Sequence, residues 1–198
     1  MKSYDQAYFE KWYHDPARRV ITPAAVARKV RLCLGVAEAL LERPVRTVLD
    51  VGCGEAPWRE HLRRERPALQ YTGVESSTYA VERFGRTRNI RAGSVGTLPS
   101  LELDGPFDLI VVCDVLQYVP DAELGPGLTE IARLLGGVAY LEAYTTDDDI
   151  EGDRSHWHQR SAAEYLAEFS RVGLVGVGMH CYVGDALRDA TITLERRA

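Results

Sequence analysis

The chain has 198 residues, 45% apolar and 27% charged, with a net charge of −5. That length suits one domain with a full sheet and helices on both faces, and the composition is that of a soluble globular protein. The acidic balance argues against general nucleic-acid binding, and no apolar run approaches the ~20 residues that a membrane span needs.

Basic residues outnumber acids in the first third of the chain and acids outnumber bases after it, which reads as solvated surface. Cys33, Cys53, Cys113 and Cys181 are far apart and form no CxxC pair. This predicts free thiols in a reducing cytoplasm, without a disulfide frame or zinc site. The start, Met1-Lys2-Ser3-Tyr4-Asp5, has no apolar run of the kind that directs secretion.

In chain order, Tyr4 to Trp12 reads as a short aromatic helix. Thr22 and Pro23 then offer an N-cap and a first helical residue. Val26, Val30, Cys33, Leu34, Ala37, Leu40 and Leu41 form one helical stripe, which Arg43-Pro44 ends. From there strands and helices alternate. The expected strands are Thr47–Val51, Gln70–Glu75, Ile90–Ala92, Phe107–Cys113 and Val138–Ala143. The expected helices are Trp58–Arg66, Ser77–Phe84, one marked by Leu124, Leu128, Ile131, Ala132 and Leu135, and one marked by Ala162, Leu166, Phe169 and Gly173. Leu174–Cys181 and Ala190–Glu195 read as a closing pair of strands. Such alternation implies a parallel sheet with right-handed crossovers and a ligand beyond the carboxyl ends of its strands.

Two segments carry the chemistry. Val48-Leu49-Asp50-Val51-Gly52-Cys53-Gly54 is an apolar strand running into an Asp-x-Gly-x-Gly turn, and Glu75 ends the next strand. Glycines let the backbone approach a ligand, and the second acid can accept both hydroxyls of a ribose. A dinucleotide site usually has a glycine three positions after Gly54, to bring a helix start against a pyrophosphate. Here that position is Pro57. No GxxxxGK[ST] occurs, so a P-loop is not supported.

With Gly73-Val74-Glu75-Ser76-Ser77, Gly93-Ser94-Val95-Gly96-Thr97-Leu98-Pro99 and Phe107 through Tyr118, these motifs resemble the class I S-adenosylmethionine-dependent methyltransferases. The likeness spans about residues 45–195. It implies an α/β fold, three-layer and Rossmann-like. The sheet has seven strands, mostly parallel with the last antiparallel, and helices on both faces. Residues 1–44 would form a helical lid and 45–198 the core of a single domain. The implied cofactor is S-adenosylmethionine, with S-adenosylhomocysteine as product, and no metal. The implied partner is a small-molecule acceptor methylated on O or N, without nucleic acid or membrane.

The resemblance also implies roles. Asp50 would face the methionine amino group. Gly52, Cys53 and Gly54 would pass close to the methionine and ribose, and Glu75 would take the ribose hydroxyls. Ser76 would flank the adenine, Ser94 and Val95 would line it, and Cys113 and Gln117 would run beneath the cofactor. The family often has a third glycine where Ala56 stands, and an acid where Ser94 stands. An Asn/Asp-Pro-Pro-Tyr/Phe segment after the fourth strand, found in branches that methylate nucleobases or protein amides, is missing. Tyr8, Trp12, Tyr13, Tyr144 and Trp157 are candidates to contact the acceptor. His158, His156 and Tyr118 are candidate proton acceptors, the histidines because they titrate near neutral pH in the segment Arg154–Arg160. Two other readings are a non-catalytic S-adenosylmethionine-binding protein, suggested by Ala56 and Ser94, and an NAD-type oxidoreductase, disfavoured by Pro57.

Overall fold

The computed structural model describes residues 4–19, 21–149 and 155–195. At the N-terminus α1, Gln6–Phe9, runs directly into a π-helical turn, Glu10–His14. Asp5 caps α1 by accepting from the Tyr8 N–H at 3.0 Å. The aromatic segment is therefore helical through His14, two residues further than its sequence suggests, with a wider winding after Phe9.

The α2 helix, Pro23–Leu41, begins as expected, with Thr22 Oγ1 accepting from the Ala25 N–H at 3.2 Å. It stops at Glu42, whose φ of 54° is left-handed. The chain then follows β1 Thr47–Val51, α3 Pro57–Glu65, β2 Gln70–Glu75, α4 Thr78–Arg88, β3 Ile90–Ala92, β4 Phe107–Cys113, α5 Asp121–Leu134 and β5 Leu135–Glu142. It closes with α6 Ala162–Arg171, β6 Val175–Gly178, β7 Cys181–Val183 and α7 Asp185–Arg188.

The seven strands lie in the order β3-β2-β1-β4-β5-β7-β6. Every pairing from β3 to β5 is parallel, while β7 runs antiparallel to both β5 and β6. The fold is thus the expected three-layer, Rossmann-like α/β arrangement. Side chains alternate across the strands, so each face owns a separate core. Leu49, Val51, Ile110, Val112, Ala139 and Leu141 pack with α5 and α6, while Val48, Leu109, Val111, Val138 and Tyr140 pack with α2 and α3.

The last strands differ from expectation. Met179 and His180 have φ of 50° and 62°, so the chain reverses there as a two-residue hairpin. Cys181–Val183 is the second arm, and Ala190–Glu195 forms no strand, with Leu194 90% exposed. In α6 the core is touched by Tyr165 and Phe169, whereas Leu166 faces solvent. A full capping box between Ser161 and Glu164 sets where that helix starts. Asp108, the acid within β4, is explained at the opposite edge of the sheet. It takes both terminal nitrogens of Arg43, at 2.9 and 2.6 Å, and the Arg46 N–H at 2.7 Å.

Candidate functional site

The strand ends Val51, Glu75, Cys113 and Glu142 bring the motif residues to one edge of the sheet. The turn after β1 is held by its neighbour strand. The Val74 carbonyl accepts from the Gly52 and Cys53 N–H groups at 2.7 and 3.2 Å. Glu75 Oε2 accepts from the Gly54 N–H at 2.7 Å, and Oε1 from the Ser77 N–H at 2.8 Å. The Ser76 hydroxyl also donates to Oε1, at 3.3 Å, while Oε2 keeps a further lone pair, so a buried, fixed acid still offers an acceptor to a diol.

Glycine is required in this turn. Gly52 and Gly54 have φ of 71° and 55°. A Cβ on Gly54 would stand 2.6 Å from Tyr13 Oη and 3.2 Å from Phe9. Ala56 is also left-handed, with φ 58° and ψ 53°. A glycine there would avoid the steric strain that alanine bears.

Two neighbouring cavities open above this edge. The larger, about 200 Å³, is walled by Gly52, Gly54, Glu75, Ser76, Ser94, Val95 and Cys113 from the sheet edge. Tyr8, Trp12, Tyr13 and Tyr118 close it from the other sides. Ser77 Oγ bonds the Tyr4 carbonyl, and His14 Nε2 lies 3.1 Å from Glu55 Oε2, so the N-terminal segment is fastened to the glycine turn. The smaller cavity, about 90 Å³, holds Asp50, Gly52, Cys53, Cys113, Tyr13 and Tyr144. Its other walls include Lys29, Trp58, Asp114 and Glu142. Tyr13, Ile21, Gly52, Cys113 and Asp114 belong to both cavities.

The ionisable groups here are strongly displaced. Burial, with Glu75 adding to it against the hydroxyl of Tyr71, pushes Asp50 up to about 7. Tyr71 Oη donates to Asp50 Oδ2 at 2.7 Å. Burial, then the charge of Glu75, raises Tyr13. Burial also raises Cys53 and Cys113. In the smaller cavity Lys29 Nζ lies 2.7 Å from Glu142 Oε1 and 3.5 Å from Cys113 Sγ, and Tyr140 Oη donates to Glu142. Burial alone would raise Glu142, but Lys29 and Tyr140 bring it below the usual carboxylate range.

Three groups of expected site residues sit elsewhere. Gln117 is fully buried behind the cavity wall, where its Nε2 donates to Asp114 Oδ1. Trp157 stacks on Tyr144 at 6.2 Å and meets Tyr118 edge-on at 6.5 Å, outside both cavity walls. His156 is exposed, and the His158 backbone N–H donates to the Gln117 carbonyl at 2.8 Å, so neither histidine ring lines a cavity. Arg154 lies outside the described residues.

The sequence places Asp114 within the motif Phe107–Tyr118 without a role of its own, and it points to no role for Lys29, Glu142 or Arg160. Asp114 gave one signal, its place directly after β4, where its φ of 60° is unusual for a residue with a side chain. Arg160 is 7% exposed and donates to the carbonyls of Leu116 and Val119 at 3.1 and 2.6 Å. It thereby anchors the segment between β4 and α5.

Among solved structures, a SAM-dependent methyltransferase from Archaeoglobus fulgidus is 16% identical, with a TM-score of 0.64 over 85% of this chain and 73% of that one. DesVI of Streptomyces venezuelae is 19% identical, with a TM-score of 0.61 over 82% and 91%. The plantazolicin methyltransferase BamL, solved with a triazolic desmethylPZN analog and SAH, is 14% identical, with a TM-score of 0.64 over 86% and 76%. At these identities the likeness is one of fold. No curated protein matches. The model of the methyltransferase domain matches residues 24–176, most of the chain, and the protein belongs to that family.

Proposed function

We propose that this protein binds S-adenosylmethionine and transfers its methyl group to an O or N atom of a small-molecule acceptor. The observation that carries this reading is Glu75, anchored by two backbone N–H groups beside a left-handed glycine turn in a cavity wall. The residues fit the cofactor: Glu75 would hold the ribose, Ser76, Ser94 and Val95 the adenine, and Asp50 the amino group. When bound, the cofactor supplies a methyl group on a sulfonium already activated for displacement.

The chain's own residues then orient and enclose. Tyr8, Trp12 and Tyr13 cover the cavity and exclude water. Alignment of the acceptor accounts for most of the rate enhancement in such a transfer. Asp114 belongs to both cavities and is the carboxylate best placed to take a proton from a protonated nucleophile. His156 and His158 stand off the cavities, which moves the proton-acceptor role to Asp114, with Tyr118 as the hydroxyl nearest to it in the chain. The four free thiols support a reducing, cytoplasmic setting. Among the described residues no helix is long and apolar enough to cross a membrane.

Release of S-adenosylhomocysteine from S-adenosylmethionine, measured across pools of small amines, alcohols and phenols, tests the reading. Acceptor-dependent release is expected. Tight cofactor binding with no release for any pool would favour a binding protein instead.

A further inference from the structure

We propose that the amino group of the adenine is read by Glu123, from the first turn of α5; this rests on the S-adenosylmethionine reading above. The exocyclic amino group of adenine is a hydrogen-bond donor, so an acceptor placed there favours adenine over a 6-oxo purine. In the loop after β3 the acceptors of Ser94 and Val95 are neutral, and each already takes a hydrogen bond. Ser94 Oγ accepts from the Thr97 N–H at 3.3 Å and lies 3.4 Å from Thr97 Oγ1. The Ser94 carbonyl accepts from the Thr97 N–H at 3.2 Å, and that of Val95 from the Leu98 N–H at 3.4 Å.

Glu123 lines the same end of the larger cavity as Ser94, Val95 and Gly96. Its side chain lies across the loop backbone. A Cβ on Gly96 would stand 2.6 Å from Glu123 Cδ and 2.8 Å from its Cβ, so this placement depends on glycine at 96. The helix that carries it is pinned. Arg160 Nε donates to Asp121 Oδ1 at 3.0 Å, two residues before Glu123, while the rest of its guanidinium holds the Leu116 and Val119 carbonyls. Glu123 is exposed, and its carboxylate packs on Gly96 in the cavity wall, where it accepts a base amino group through a charge-assisted hydrogen bond. An acid in a first helical turn also suits the helix dipole. That role alone would move the melting temperature and leave base selectivity untouched.

Isothermal titration with S-adenosylhomocysteine and its 6-oxo counterpart, S-inosylhomocysteine, separates the two roles. The wild-type chain should prefer the adenine form by about tenfold or more. Glu123→Ala should lower the ratio sharply, and Glu123→Gln should retain part of it through its amide oxygen. Gly96→Ala should lower it by displacing a carboxylate that is still present. An unchanged ratio in Glu123→Ala, with S-adenosylhomocysteine still bound, overturns the assignment. A wild-type chain that binds neither compound overturns the cofactor reading instead.

Discussion

The larger cavity takes its main polar groups from short stretches at the ends of β1, β2 and β3, whereas the smaller brings together Lys29 and Glu142, which are 113 positions apart. In the first, backbone N–H groups from adjacent turns converge on one acid, so the geometry follows from local chain direction. In the second, an ion pair bridges the middle of α2 and the end of β5, so the geometry follows from helix packing on the sheet. The difference teaches that the end of the site built by local turns is written in contiguous residues, whereas the end built by packing depends on residues far apart in the chain.

Changes at Glu75 should have the largest effect. Glu75→Ala leaves two backbone N–H groups without their acceptor and also removes the ribose partner. Cofactor affinity should fall by about 100-fold or more, as for loss of two hydrogen bonds to a charged group. Glu75→Gln, which keeps one acceptor oxygen, should fall less. An alanine variant that binds as tightly as wild type would remove the local-turn account.

At the packed end, Lys29→Ala leaves Glu142, whose side chain is 12% exposed, without its cation. Because the Lys29 side chain is a third exposed, the destabilisation should be about 2 kcal/mol, below the full penalty for breaking a buried pair. The double change Lys29→Met with Glu142→Gln should recover part of it. Thermal melts of Lys29→Ala, Lys29→Met, Glu142→Gln and the double variant check this, and full additivity in the double variant would show that the pair is not coupled.

Asp50 lines the smaller cavity beside the glycine turn, and its effect is pH-dependent. Its folded value of about 7 lies above an unfolded value of about 3.9. A raised acid binds its proton more tightly in the folded chain. Its contribution to stability is therefore fully present below about pH 4 and is lost as pH rises to about 7 and beyond. Asp50→Asn should flatten that slope in melts between pH 5 and 8. A ligand ammonium beside Asp50 requires the ionised form, so affinity for S-adenosylhomocysteine should fall by up to about tenfold per pH unit below 7. Titrations in buffers of different ionisation enthalpy should show proton release on binding. Affinity independent of pH between 6 and 8 would place the amino group away from Asp50.

The smallest effect is expected at Ala56. Replacing it by glycine relieves a left-handed alanine but gives up one buried methyl and adds unfolded-state freedom. A net gain of no more than about 1 kcal/mol is expected, or about 2–4 °C in melting temperature. A loss of stability would mean that the methyl group matters more than the backbone strain.

How much was legible follows the same division. The order of strands, the glycine turn, Glu75 and the start of α2 are written in contiguous residues, each with a local physical signature. The hairpin at Met179-His180 is not, because its two left-handed residues are neither glycine nor asparagine. The Lys29–Glu142 pair, the anchoring of the loop by Arg160 and the placement of Glu123 against Gly96 each join distant segments, and no spacing rule links them. His156 and His158 carried a chemical signal without a positional one. The residue type suited a base, but neither histidine lines either cavity.

Titration of the wild-type chain with S-adenosylhomocysteine tests the central claim most directly. The account predicts saturable one-to-one binding in the micromolar range or tighter, which S-adenosylmethionine matches and NAD does not compete away. No binding of either sulfur nucleoside at millimolar concentration would contradict it.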